Sequence, residues 1–81
     1  MKITVRLFAG LHCENEGLEC YGKNDFRLML KHAMNLKEFL NHIGISVQLA
    51  KIVLVNGLFK PLTYVVKDGD EIAVFPPLGG G

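Results

Sequence analysis

The sequence predicts a single α+β domain, a roll in which a mixed sheet of four to five strands packs on one main helix. Alternating apolar residues near both ends of the chain indicate strands, and one amphipathic segment near the middle indicates a helix. The predicted element order is ββαβ(β)β. With 81 residues, of which 49% are hydrophobic, the chain is long enough for one small core.

The first strand is predicted from a period-two pattern in residues 2–9. Its apolar face contains Ile3, Val5, Leu7 and Ala9, and the alternating positions are Lys2, Thr4, Arg6 and Phe8. Residues 10–25 have no such period and contain several glycines and asparagines, so we expect a long irregular connection with room for a short helical turn. Residues 26–31 alternate again and predict a second strand, antiparallel to the first.

The helix is predicted to begin after Asn35, a good N-cap residue, with Glu38 placed to complete a capping box. One face of this helix is apolar, and Gly44 is well placed to end it. The apolar residues are Leu36, Phe39, Leu40 and Ile43.

The second half of the chain predicts two or three further strands. Residues 51–55 form a β-branched run, Asn56-Gly57 is a strong tight-turn signal, and a short return strand at residues 58–59 is broken by Pro61. A turn at residues 67–70 then leads into the last strand at 71–75. The helical crossover allows the first and last strands to pair in parallel at the centre of the sheet.

Charge and composition narrow the range of partners. The net charge of +1 provides no broad electrostatic reason to bind nucleic acid or an anionic membrane, so neither is expected as a partner. The first apolar residues alternate with polar ones and do not form an uninterrupted segment, which speaks against a signal peptide or a membrane span. We therefore expect a cytoplasmic protein.

Candidate metal-binding and catalytic groups are few. Because the sequence shows no export signal, Cys13 and Cys20 are expected to be reduced thiols. No metal site is predicted, because these two cysteines and His12 are not accompanied by a second pair of closely spaced ligands. A redox or sulfur-relay role for the cysteines stays an alternative. His12, His32 and His42 show no triad spacing, and the chain has no phosphate-binding glycine loop. We expect no independent catalytic machinery.

The most informative segment is the last one, FPPLGGG at residues 75–81. Pro76 and Pro77 favour extended backbone, and three glycines without side chains suit entry into a narrow channel. We therefore divide the chain into a folded domain, residues 1–76, and a flexible glycine tail, residues 77–81. The alternative is that the tail is merely a frayed end.

In these features the chain resembles the ubiquitin-like β-grasp sulfur carriers, which include the small subunit of molybdopterin synthase and its thiamine-pathway relative. The resemblance spans nearly the whole chain. It is carried by VRLFA at 5–9, VNG at 55–57, KDGDEI at 67–72 and, above all, FPPLGGG at 75–81. The double proline and the length are more similar to the molybdopterin branch. The chain departs from the family pattern in a third terminal glycine and in the two cysteines of residues 10–25.

The resemblance implies a function and its partners. An E1-like enzyme, using ATP and Mg²⁺ that this chain does not bind, would adenylate the carboxylate of Gly81 and convert it to a thiocarboxylate. Gly79 and Gly80 would line the channel of the partner enzyme. The sulfur would then pass to a molybdopterin synthase large subunit or another sulfur-accepting enzyme. Three alternatives are a sulfur carrier of the thiamine pathway, a modifier that forms an isopeptide bond between Gly81 and a lysine, and an adaptor that binds without covalent chemistry.

The strand pattern also predicts a docking surface. Phe8 and Phe75 are out of phase with the core residues of their strands, so both rings should lie on the open face of the sheet, side by side at the start of the tail. Phe59 is a further candidate for this patch, and Pro76, Pro77 and Leu78 are expected to contact the same partner. The alternative is ordinary packing of the rings over the sheet.

Overall fold

The computed structural model describes residues 1–77 and contains one five-stranded sheet and one α-helix. The strands are β1 (Lys2–Leu7), β2 (Asp25–Met29), β3 (Ile52–Val55), β4 (Leu58–Phe59) and β5 (Glu71–Phe75), and the helix α1 is Leu36–His42. The sheet order is β2-β1-β5-β3-β4, with β1 and β5 parallel at the centre and all other pairs antiparallel. This is the predicted β-grasp roll, including the central parallel pair.

The core lies between α1 and one face of the sheet. Every second residue of the central strands points into it, as the period-two pattern predicts, and the helix contributes its apolar face. The fully buried side chains include Ile3, Val5, Val55, Ile72, Val74, Leu36, Phe39 and Leu40. At about 1.5–3 kcal/mol for each large apolar side chain, this burial is the main stabilising term of the fold.

The ends of α1 are formed by the residues predicted for them. The side chain of Asn35 accepts a hydrogen bond from the Glu38 amide at 2.8 Å, and the Glu38 carboxylate accepts one from the Asn35 amide at 2.9 Å. Gly44 follows the helix with φ at +82°, and a Cβ there would lie 3.0 Å from the Glu14 backbone. Glycine is therefore required at residue 44 both by its conformation and by the close approach of another segment.

Two details of the first connection differ from prediction. Ala9 is exposed, not part of the core, because β1 ends at Leu7 and Ala9 adopts a positive φ of 56° before Gly10. The chain turns there, so the period-two pattern no longer decides where a side chain points. Residues 10–24 also contain no helical turn. The chain is bent there by short turns, one of which is closed by a hydrogen bond from the Tyr21 amide to the Leu18 carbonyl.

The later turns match the sequence signals. Asn56 and Gly57 both have positive φ, 53° and 84°, as a two-residue hairpin between β3 and β4 requires. Gly69 has φ at 87° in the turn before β5.

Within residues 1–77, no helix has the length and apolar character needed to cross a membrane.

Candidate partner-binding face

The face of the sheet opposite α1 is not covered by any element among residues 1–77. Strand register shows which side chains share it, because residues directly opposite one another on paired strands point to the same side. Arg6 is opposite Ala73, Ala73 is opposite Leu54, and Leu54 is opposite Phe59. These four residues therefore form one row across the open face, from β1 to β4.

Phe8 and Phe75 form the next row and lie against each other. The Phe8 amide donates to the Val74 carbonyl at 3.0 Å, which extends the parallel pairing of β1 and β5 by one residue. The two rings are stacked, with centroids 4.4 Å apart and planes within 7°. Phe8 is 39% exposed, and Phe75 is half-buried. We call these two residues the aromatic pair. Its geometry is the one expected from the strand phase.

The apolar area extends from the aromatic pair across β3 to β4. Ile52 is opposite Phe75, and Leu54 is opposite Phe59, whose side chain is 73% exposed. The register thus resolves the face of Phe59, which was ambiguous in the sequence. We define the apolar face as Phe8, Phe75, Ile52, Leu54, Ala73 and Phe59.

Three residues of the apolar face, Ile52, Leu54 and Ala73, were not among the residues predicted to bind a partner. The alternation in β3 contains the necessary signal, because Val53 and Val55 point into the core and their neighbours must point outward. In β5 the same alternation places Ala73 outward, between the buried Ile72 and Val74.

The outward positions of β1 and β2 are charged or polar, apart from the exposed Met29 at the end of β2. Arg6 and Arg27 and the carboxylate of Asp25 lie on the outward side of β1 and β2. Between the two halves is a depression of about 130 Å³, lined by residues that include Arg6, Phe8 and Leu54. This volume is below the several hundred Å³ typical of small-molecule sites.

The chain leaves the sheet at the aromatic pair. Phe75 ends β5, Pro76 is half-buried beside it, and Pro77 is exposed. The remaining predicted site residues, Leu78, Gly79, Gly80 and Gly81, lie outside the described residues. The structure therefore brings Phe8, Phe75 and the two prolines together at the start of the predicted tail, with Phe59 farther along the same face.

The opposite end of β5 is held by the buried carboxylate of Asp70. Its oxygens accept hydrogen bonds from the Asn56 amide side chain at 2.9 Å, the Tyr64 hydroxyl at 2.8 Å and the Lys67 backbone amide at 2.8 Å. Asn56 in turn accepts from the Glu71 amide at 2.9 Å. One carboxylate thus links the β3–β4 turn to the turn before β5 and sets the position of the strand that leads to the tail.

These contacts change the acidity of two groups. Burial alone would raise the pKa of the Asp70 carboxyl, but the hydrogen bonds from Lys67, Asn56 and Tyr64 outweigh it and lower that pKa below the ordinary 3.8. The hydrogen bond to Asp70, together with partial burial, raises the pKa of Tyr64. Sequence reasoning missed this network. Its only visible signal was an acidic residue directly before a core strand.

The cysteines and histidines do not form a metal centre in the described part of the chain. Cys13 and Cys20 are buried together, with their sulfurs 2.9 Å apart, and both are free thiols. His12 is paired with Glu14, Nε2 to Oε2 at 3.2 Å, on the surface. No group of three or more His, Cys, Asp or Glu side chains in residues 1–77 is arranged to hold a metal ion.

Comparisons with known proteins identify the family and the fold of the chain. Residues 5–81 match the model of the ThiS family. Among solved structures, SAMP1 from Haloferax volcanii is similar, with a TM-score of 0.65 and 24% identity over 100% of both chains; at that identity the likeness concerns the fold. No curated protein sequence matches the chain.

Proposed function

The chain belongs to the ThiS family of ubiquitin-like β-grasp sulfur carriers, and from this premise we propose that it carries sulfur as a thiocarboxylate on Gly81. The observation that carries the proposal is the course of β5. This central strand leads from the Asp70 network directly to the aromatic pair and then into Pro76 and Pro77. A partner that docks on the apolar face therefore meets the start of the tail in the same contact.

The chemistry requires a partner with its own catalytic groups. A carboxylate resists nucleophilic attack, because its charge is delocalised and its oxygen is a poor leaving group. In the proposed reaction an E1-like enzyme binds ATP and Mg²⁺ and transfers AMP to the carboxylate of Gly81, releasing pyrophosphate. Sulfide-level sulfur from the sulfur donor then displaces AMP and leaves the thiocarboxylate. Gly79 and Gly80 present only backbone to the walls of the partner's channel.

The apolar face would hold the carrier on that partner. Aromatic side chains at the centre of an interface contribute strongly to affinity, and the aromatic pair is already ordered by stacking before the partner binds. The charged half of the open face, with Arg6 and Arg27, would lie at the rim of the contact and set its orientation. Activating enzyme and sulfur acceptor would use the same face in turn, because both must reach the tail.

The test is the intact mass of the protein after incubation with the activating enzyme, ATP, Mg²⁺ and a sulfur donor. We expect a gain equal to the difference between a sulfur and an oxygen atom, located in the C-terminal peptide. A variant lacking Gly80 and Gly81 is the matched control, and it should stay folded and unmodified. Lysine-linked adducts without this mass change would favour a protein modifier, and full partner activity of the shortened variant would favour a non-covalent adaptor.

For the pathway we propose the molybdopterin branch, supported by the similarity of the double proline and the chain length to that branch. The thiocarboxylate form, incubated with a molybdopterin synthase large subunit and a pterin precursor, should lose its sulfur to the pterin. Parallel incubation with a thiazole synthase tests the thiamine branch. Transfer in the second reaction and none in the first would contradict the proposed pathway and leave the carrier function intact.

A further inference from the structure

The irregular connection between β1 and β2 contains a buried pair of thiols that the proposed function does not use. Cys13 has no exposed surface and Cys20 is 4% exposed. The Cys20 thiol donates to the Cys13 sulfur, with the two sulfurs 2.9 Å apart. A disulfide would require them to approach by only about a further 0.9 Å.

Backbone hydrogen bonds hold both cysteines in this arrangement. The Cys13 amide donates to the Lys23 carbonyl at 2.9 Å, and the Gly22 amide donates to the Cys13 carbonyl at 2.8 Å, so the two segments of the connection that carry the sulfurs are hydrogen-bonded to each other. The next residue, Glu14, donates its amide to the Ile43 carbonyl at the end of α1, at 2.8 Å. The short distance between the two sulfurs is therefore a consequence of the backbone hydrogen bonds that hold this connection.

We propose that Cys13 and Cys20 are a disulfide modification site, oxidised by exchange with a small-molecule disulfide such as oxidised glutathione. One cysteine attacks the reagent as a thiolate, forming a mixed disulfide and releasing one glutathione thiol. The second cysteine then displaces the other glutathione. The protein loses two protons and two electrons, which leave with the two glutathione thiols, and a Cys13–Cys20 bond is formed.

The fold also controls when this reaction takes place. Burial, followed by the contact with Cys13, raises the pKa of the Cys20 thiol to about 12, so the Cys20 thiolate is scarce in the folded protein. Neither sulfur offers a surface to a reagent the size of glutathione. The pair therefore reacts while the chain is unfolded or locally open, and the native structure then protects whichever redox state was present at folding.

The experiment compares oxidation before and after folding. Reduced protein is refolded from denaturant with oxidised glutathione, and a second sample is exposed to the same reagent while folded. Free thiols are then blocked and the denatured chains are cut with a glutamyl endopeptidase. Three of its five sites, Glu14, Glu16 and Glu19, lie between the two cysteines. An intramolecular disulfide therefore keeps the two cysteine-containing pieces joined until a reductant is added.

We expect the refolded sample to contain pieces that separate only on reduction, and the folded sample to form this bond at least about tenfold more slowly. Cys13→Ala and Cys20→Ala, checked for folding by circular dichroism, should yield only separated pieces. Glutathione adducts or disulfide-linked dimers in place of the internal bond would overturn the site. Equal rates in the two wild-type samples would overturn the protection by the fold.

Discussion

The residue before β5 is Asp70, whose buried carboxylate accepts three hydrogen bonds, whereas at the last residue of β5 two aromatic rings, Phe8 and Phe75, are stacked at the surface. Asp70 is 5% exposed and has three donors, and no buried side-chain nitrogen or oxygen among residues 1–77 lacks a partner. Phe8, in contrast, keeps 39% of its surface in solvent. The Asp70 end therefore holds β5 in position, whereas the end with the aromatic pair leaves a surface that a partner can contact.

The largest effect is expected from Asp70→Ala. The change leaves the Tyr64 hydroxyl, the Asn56 amide and the Lys67 backbone amide without their acceptor, and should lower the free energy of unfolding by about 2–3 kcal/mol. Urea denaturation measures it. The control is Asp68→Ala in the same turn, since Asp68 is exposed and, among residues 1–77, accepts one hydrogen bond, from the Lys2 amide; its cost should stay below about 1 kcal/mol. Equal costs for the two variants would remove the distinction between the buried and the exposed carboxylate.

The second effect concerns the aromatic pair. Phe8→Asp should weaken binding to the activating enzyme by about 2 kcal/mol, roughly thirtyfold in Kd, because it places a charge against Phe75 in the apolar face. Phe75→Ala should act in the same direction. Titration calorimetry measures binding, and urea denaturation should show a smaller change in the free energy of unfolding.

The matched control for Phe8→Asp is Tyr21→Asp, because Tyr21 is also an exposed aromatic residue, at 49%, but belongs to the irregular connection. Its affinity for the enzyme should be unchanged. If stability and affinity fall by the same amount in the Phe8 and Phe75 variants, the aromatic pair is part of the fold and the contrast between the two ends of β5 fails.

A smaller effect tests how far the apolar face extends. Leu58 and Phe59 are neighbours on β4, both exposed, at 62% and 73%, but the register places only Phe59 on the open side. Phe59→Ala should weaken binding by about 1 kcal/mol, and Leu58→Ala should leave it within a few tenths of that of the wild type. Equal effects of the two substitutions, whether large or absent, would contradict the assignment of Phe59 alone to the apolar face.

The smallest effect is the pH dependence of the Asp70 end. Because the pKa of Asp70 is lower in the folded state, the folded protein binds fewer protons than the unfolded chain as the pH falls through this range. The stabilisation is therefore present above the ordinary pKa of 3.8 and is lost progressively as the pH drops below it towards the folded-state value. Urea denaturation of the wild type and Asp70→Asn from pH 7 to acid should show their difference shrinking below that point. A constant difference would contradict the assignment.

Much of the fold was predictable because its signals are local. The alternation of Ile3, Val5 and Leu7 reports the period of a strand, and the capping box of Asn35 and Glu38 involves residues only three apart. The phase of Phe8 and Phe75 followed from the same alternation once the parallel pairing was inferred. The family resemblance of residues 75–81 pointed to sulfur carriage, and the match of residues 5–81 to the ThiS family agrees with it.

Contacts between distant segments were not predictable in this way. Ala9 follows the strand pattern but lies in a turn, and Asp70 reaches Asn56, 14 residues away, through a side chain. Cys13 and Cys20 meet because their loop is tied to itself and to the end of α1. Periodicity and capping are properties of the chain over a few residues, so the amino-acid order is enough to reveal them. Which buried polar groups and thiols meet depends on how the packed elements bring separate segments together, and that is a property of the folded molecule.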